Sequence, residues 1–164
     1  MILSLIIVTA AVLLDQITKF IVVSNMNLNE TIPVIKDVFN ISYTTNDGAG
    51  WSLLSGKTFL LISISVIAVI FLVFVIIKFK PKRLDMISLS MILGGAIGNL
   101  IDRIRPPHEV TDFFDFVLIN FPIFNIADIF VTVGGALLIF NALFSKKSII
   151  YLFENKKDSK NENN

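Results

Sequence analysis

The chain has 164 residues, 54% of them hydrophobic and 16% charged, with a formal net charge of +1. That balance is too apolar for an ordinary soluble domain, and no basic stripe with interleaved aromatics is present to meet a nucleic acid. There is no cysteine and one histidine, His108, so disulfides, thiol nucleophiles, thiolate metal sites and histidine-rich metal sites are excluded, leaving carboxylates, Lys, Ser/Thr and Tyr for any chemistry.

A bilayer core of ~30 Å needs about 20 apolar residues in a helix. The first window, Ile2 to about Val23, meets that length and is interrupted by Asp15, Gln16 and Lys19. It lacks the basic start of a cleavable signal peptide and its apolar run resumes beyond Asp15, so it is read as a retained span. The segment that follows does not look like a simple loop. Phe39, Ile41 and Tyr43 alternate with Asn40 and Ser42, as in a half-buried strand, and Thr44 to Gly48 has turn chemistry. Trp51 suits an interfacial anchor and, equally, a lid over a bound substrate.

The second window runs from Phe59 to Ile77, the third from Met86 to Ile104 and the fourth from Ile126 to Phe144. Between the last two, Val110–Phe116 and Val117–Phe124 are rich in β-branched and aromatic residues and are expected as further strands. His108, in a Pro-Pro-His loop, is expected to be exposed. The expected architecture is a membrane all-α protein: four transmembrane helices at about 2–24, 58–78, 86–104 and 126–144, with a small extracytoplasmic β-sheet and a loop over the site. One domain covers 1–155, and 156–164 is expected as a disordered cytoplasmic tail.

Lys78, Lys80, Lys82 and Arg83 crowd the connection between the second and third helices, and Lys146, Lys147, Lys156, Lys157 and Lys160 follow the fourth. Positive-inside bias puts these segments and both termini in the cytoplasm. Segments 25–57 and 105–125 then lie outside. With that orientation Asp15, Lys19, Asn99, Asp102, Arg103, Asp112, Asn125 and Asp128 all converge near the outer interface. Ionisable groups in spans are costly, so each should have a partner or a task.

Helical spacing gives each set one face: Asp15 with Lys19, Asn99 with Asp102 and Arg103, and Asn125 with Asp128. Gly94, Gly95 and Gly98 allow close approach of a helix or a substrate backbone. Two aspartates without metal ligands suggest a carboxylate dyad. One carboxylate activates water; the other, kept protonated by the like charge, polarises a scissile carbonyl and protonates the leaving amine. Spacing alone also allows Asp112 to be a strand-turn residue and Asp128 a helix N-terminal carboxylate, and it does not rank Asp112 above Asp115.

Five motifs occur in order: Asp15-Gln-Ile-Thr-Lys19, Asn46-Asp-Gly-Ala-Gly-Trp-Ser52, Gly94-Gly-Ala-Ile-Gly-Asn-Leu-Ile-Asp-Arg103, Val110-Thr-Asp-Phe113 and Phe124-Asn-Ile-Ala-Asp128. In this order around four spans, the chain resembles the bacterial lipoprotein signal peptidases, the signal peptidase II family of membrane aspartic proteases. The resemblance implies removal of signal peptides from prolipoproteins, cutting before a cysteine that carries diacylglycerol. It implies Asp112 and Asp128 as the catalytic pair, and so favours Asp112 over Asp115. Asp15, Lys19, Asn46, Gly95, Asn99, Asp102, Arg103 and Asn125 are carried over as substrate-binding or site-supporting, with Asp102 orienting Arg103 or bracing the helix ends.

No metal or other cofactor is implied. The implied partners are diacylglyceryl-modified prolipoproteins, membrane lipid and globomycin-type inhibitors, in the bacterial cytoplasmic membrane, with no nucleic acid. Gly50, Thr111 and Pro106-Pro107 depart from the family's usual pattern, away from the catalytic positions. A proton- or ion-coupled transporter is the main alternative, since intramembrane Asp and Lys often mark ion paths, but midplane sites in inverted repeats are not evident. A non-catalytic membrane scaffold is the second.

Overall fold

The structure is a computed structural model that describes residues 1–48 and 56–145. In chain order it comprises α1 (Ile2–Asn25), β1 (Thr31–Ile35), β2 (Phe39–Asn46), α2 (Thr58–Phe79), α3 (Arg83–Ile104), β3 (Val110–Asp115), a 3-10 turn at Val117–Ile119 and α4 (Ile126–Phe144). All four α-helices are long and apolar enough to cross a membrane. Their large exposed surfaces, including Phe20, Phe59, Ile67, Leu143 and Phe144, are the outward faces expected of helices solvated by lipid. This is a multi-pass membrane protein.

The helices are not equivalent. In α3, 56% of the spanning window is buried, against 17–22% in the other three, so α3 is the central helix on which the others pack. Its sequence explains the placement. Gly94 lies against Ala11 of α1, and Gly95 against the backbone carbonyl of Ala127 of α4. Gly98 receives the Asp15 carboxylate. Small residues at these crossings allow backbones to approach closely, which supplies the van der Waals contact that holds helices together in lipid. Toward the basic end of the bundle, Val75 and Ile76 of α2 pack on Met86, Leu89 and Leu93 of α3. There Ser90 also bonds Ser4 at 2.8 Å, and Asn141 donates to Asp85 at 2.7 Å.

The three strands form one antiparallel sheet in the order β1-β2-β3. The register sets Asn40 opposite Asp115, Thr44 opposite Asp112 and Asn46 opposite Val110, with an irregularity between Ile41 and Thr44. Since α3 ends at Ile104 and α4 begins at Ile126, the sheet sits over one end of the bundle, and Lys78, Lys80, Lys82 and Arg83 lie exposed at the other.

Four details differ from the sequence expectations. The strand at Phe39 runs on through Thr44 and Thr45 to Asn46, because β3 supplies pairing partners that override the local turn preference. The turn begins at Asn46, whose Oδ1 accepts from the Gly48 N–H at 2.9 Å. β1 had no alternating signal; its residues are all exposed, and Pro33 fits it to a sheet edge where no N–H is needed. Residues 117–124 do not form a strand. Asn120 is left-handed, with φ of 47°, and Pro122 lacks a donor, so the chain folds back and only Phe124 bridges to Phe114. Aromatic packing holds the fold-back, with Phe116 stacked on Phe124 at 5.9 Å. The third helix begins at Arg83 rather than about 86, with Asp85 in its first turn, where the helix N-terminus favours a carboxylate. Trp51, Gly50, the lysines from Lys146 onward and the 156–164 tail lie outside the described residues.

Candidate active site

At the sheet end of the bundle a cavity of about 450 Å³ opens between β2, β3, the end of α3 and the start of α4. Its polar wall is Asn46, Asn99, Arg103, Asp112 and Asp128; its apolar wall comes from Val110, the segment 121–124, and Ile129, Thr132 and Val133 of α4.

Asp112 is presented by β3 and is buried. Its Oδ1 accepts from Asn125 Nδ2 at 2.6 Å, and its Oδ2 from Asn46 Nδ2 at 3.3 Å. Burial pushes its carboxyl up to about 7; the charge of Asp128 adds to the rise, while the two asparagine bonds and Lys19 oppose it. Asp115, three residues on, belongs to different surroundings: its Oδ2 accepts from Asn40 Nδ2 at 3.2 Å and Ser42 Oγ at 3.0 Å, locking β2 to β3. An odd offset in a strand puts the two aspartates on opposite faces, and only Asp112 reaches the cavity. The ranking that spacing left open is thus made by the strand's two-residue period.

Asp128 comes from the first turn of α4. Asn125 caps that helix: its Oδ1 accepts from Asp128 N at 3.0 Å, and Asp128 Oδ2 accepts from Asn125 N at 3.2 Å, a reciprocal capping box. The carboxylate therefore has both of the placements that the spacing allowed, a helix-terminal cap and a cavity wall. Its second oxygen accepts from Asn99 Nδ2 at 2.8 Å. Arg103 lines the cavity and donates to the Gly48 carbonyl at 3.0 Å, tying α3 to the turn after β2.

Asn46, Asn99 and Arg103 thus join the two aspartates in one cavity wall. The other expected site residues stand behind that wall. Lys19 pairs with Asp15 at 2.9 Å and Asp102 at 2.8 Å, and donates to Asn99 Oδ1 at 3.0 Å. Asp15 Oδ1 accepts the Ala127 N–H at 2.9 Å, capping α4 from another helix. Asp102 accepts the Thr111 N–H at 3.3 Å and so braces the start of β3. Gly95 is the contact of α3 with Ala127, and Asn125 is fully buried. His108 is exposed, with φ of 72°, and its Nδ1 lies 3.0 Å from the Arg103 carbonyl oxygen.

Sequence reasoning missed Gln16, whose Nε2 reaches Asp102 at 2.9 Å, Asp15 at 3.2 Å and the Gly98 carbonyl at 3.3 Å. Its position beside Asp15 was the available signal. The apolar wall was also missed. In its α4 part Thr132 stands i+4 from Asp128 and Val133 i+4 from Ile129 beside it, a face that a wheel of α4 would have shown.

Chemically the arrangement offers two carboxyl groups on one cavity, several asparagine donors and a guanidinium. Comparison with known proteins identifies the family. A family model described as signal peptidase (SPase) II matches residues 7–144. The lipoprotein signal peptidase of Halothermothrix orenii is 43% identical over 134 residues, covering 82% of this chain and 90% of that protein. That of Listeria monocytogenes serotype 4a is 46% identical over 133 residues, covering 79% and 86%. Among solved structures, a bacterial membrane enzyme determined by the in meso method at 2.3 Å superposes with a TM-score of 0.81 at 37% identity, covering 89% of this chain and 92% of the other.

Proposed function

The chain belongs to the signal peptidase II family, and on that premise we propose that it is an aspartic endopeptidase that removes signal peptides from diacylglyceryl-modified prolipoproteins. The observation that carries the reading is the meeting of Asp112 and Asp128 on one cavity with an apolar flank. A signal peptide is an apolar helix that can arrive laterally from lipid. Near its cleavage site it must give up helical hydrogen bonds, and exposed backbone at that depth has to be satisfied by protein. Asn46, Asn99 and Arg103 supply donors for it, while Phe121, Ile123, Ile129 and Val133 offer an apolar surface beside the scissile bond.

The two carboxyl groups divide the work. Asp112, raised to about 7 by burial and then by its neighbour's charge, holds the proton near neutrality. Asp128 sits where α4's free N–H groups favour negative charge, and acts as the base. It takes a proton from water as the water oxygen bonds to the scissile carbonyl carbon, while Asp112 donates a hydrogen bond to the carbonyl oxygen. As the C–N bond breaks, the Asp112 proton passes to the leaving nitrogen, and the proton on Asp128 moves to Asp112. The dyad is then restored with one amide and one water consumed.

We place the cavity on the extracytoplasmic side of the bacterial inner membrane, with both termini in the cytoplasm. The exposed Lys78, Lys80, Lys82 and Arg83 at the opposite end of the bundle support that orientation. Membrane lipid bathes the helices, and globomycin-type inhibitors are expected to compete for the cavity.

The test is cleavage of a diacylglyceryl-modified prolipoprotein by purified protein in detergent. Asp112→Asn and Asp128→Asn should each lower the rate by about 10³-fold or more. Wild-type cleavage by either variant would sink the dyad, and equal processing of precursor without the lipid would sink the substrate class.

A further inference from the structure

Lys19 looks from its charge like a substrate contact, but its surroundings leave it none to make. Its side chain is 5% exposed. An ammonium has three N–H groups, and three acceptors take them: Asp15 Oδ2 at 2.9 Å, Asp102 Oδ2 at 2.8 Å and Asn99 Oδ1 at 3.0 Å. It is also absent from the cavity wall.

Each of these acceptors leads to the dyad by one further bond. Asp15 uses its other oxygen to hold the N–H of Ala127, the residue before Asp128. Asp102 Oδ2 holds the N–H of Thr111, the residue before Asp112. Asn99, with its oxygen turned to Lys19, has only its Nδ2 to offer Asp128, at 2.8 Å. Asn125 Nδ2 also donates to that Asn99 oxygen, at 3.1 Å, and keeps the amide in the same sense. Gln16 bridges Asp15 and Asp102 on the remaining side.

We propose that Lys19 is the positioning residue of this site: its ammonium ties the backbone beside Asp112 to the backbone beside Asp128, turns Asn99 toward Asp128, and so sets the separation of the two carboxyl groups without touching substrate. The inference rests on the dyad reading above. A buried cation between two carboxylates is costly to keep and costly to break, so its retention at the junction of α1, α3, β3 and α4 is explained by geometry it imposes. Its charge also acts at a distance. The charged groups around Asp112 are Asp128 of α4, Lys19 of α1 and Arg103 of α3, with Asp102 beside Thr111, and Lys19 favours the ionised form of Asp112.

The experiment compares Lys19→Met and Lys19→Arg with the unmodified enzyme on the same lipidated precursor, recording kcat, KM and the pH profile. Lys19→Met should lower kcat by about 100-fold with KM within about twofold, because an interaction that shapes the transition-state geometry is lost rather than a binding contact. Its alkaline limb should move up, since a neighbouring cation no longer favours the Asp112 carboxylate. Lys19→Arg keeps the charge but replaces a compact three-way donor by a planar fork; kcat should fall at least about tenfold with the alkaline limb unmoved.

A raised KM with kcat intact in either variant would mean that Lys19 binds substrate, and would overturn the proposal. So would full kcat in Lys19→Arg, the decisive variant if Lys19→Met does not fold. Less folded protein with an unchanged kcat per active site and an unmoved profile would show a merely structural role and overturn it as well. Wild-type cleavage by Asp112→Asn would instead remove the dyad reading itself, so the two failures are distinguishable.

Discussion

Asp112 shows what burial does to one carboxyl group. Its proton is held more tightly in the folded chain, with a pKa of about 7, than at the ordinary aspartate value of 3.8. The sign of the consequence follows. Asp112 does not weaken the fold below about pH 4; its cost grows as pH rises from there through about 7, and is full above that. Replacing it with Asn removes the charge that burial opposes while leaving an oxygen for Asn125. The Asp112→Asn protein should therefore melt about 3–8 °C above the unmodified protein at pH 8 and at nearly the same temperature at pH 4. Equal melting at both pH values, followed by thermal unfolding in detergent, would contradict the burial argument. The side chain proposed to hold the catalytic proton thus lowers the stability of the fold at neutral pH.

At the scale of elements, α3 is defined less by its apolar residues than by its small ones. A Cβ on Gly95 would meet the Ala127 carbonyl, and one on Gly98 the Asp15 carboxylate, so either change pushes α4 or α1 away from the helix that aligns them. The neighbouring pair on α4 gives a sharper comparison. A Cβ on Gly134 would lie 2.8 Å from the Ser88 carbonyl, whereas one on Gly135 meets nothing within 4 Å. Gly134→Ala is expected to destabilise by about 1–3 kcal/mol through overpacking. Gly135→Ala should be neutral or stabilising by up to ~1 kcal/mol, as helix propensity favours alanine. Melting temperatures of the two single variants decide it, and equal losses would count against the packing assigned to α4.

These elements also show what local sequence can and cannot announce. The long apolar runs predicted four helices, because a helix of that length satisfies its own backbone in lipid whatever surrounds it. The strand ends were harder to read. Thr44 and Thr45 have turn chemistry but pair with β3, and Val117–Phe124 has strand composition but is folded back at Asn120 and Pro122. Pairing partners decide such short segments, and those of Thr44 and Thr45 are Asp112 and Thr111, far along the chain.

For the whole molecule, the asymmetry between ends is the main feature. One end carries exposed lysines and arginine at the α2–α3 turn; the other carries the sheet, the cavity and every charged side chain of the site. With the cavity facing outward, a cysteine introduced at Lys80 should resist an impermeant thiol reagent applied to intact spheroplasts, and one at Lys36 should react. Neither replacement alters a native thiol, since the chain has none. The reverse pattern would invert the proposed orientation and place the cleavage chemistry on the wrong side of the membrane.

Sequence alone determined the number and approximate extent of the helices, the pairing of polar residues at helical spacing and, through five ordered motifs, the family. These are local or one-dimensional properties, set by segment length, periodicity and the order of residues. Tertiary structure decided the rest: that Asp112 and not Asp115 reaches the cavity, that Asp15 caps a helix 112 residues further along, and that Lys19 lies behind the wall with its three donors spent. Each depends on which face of a strand or helix meets a partner distant in the chain. A spacing rule gives that face only up to a rotation, and packing around α3 selects the rotation.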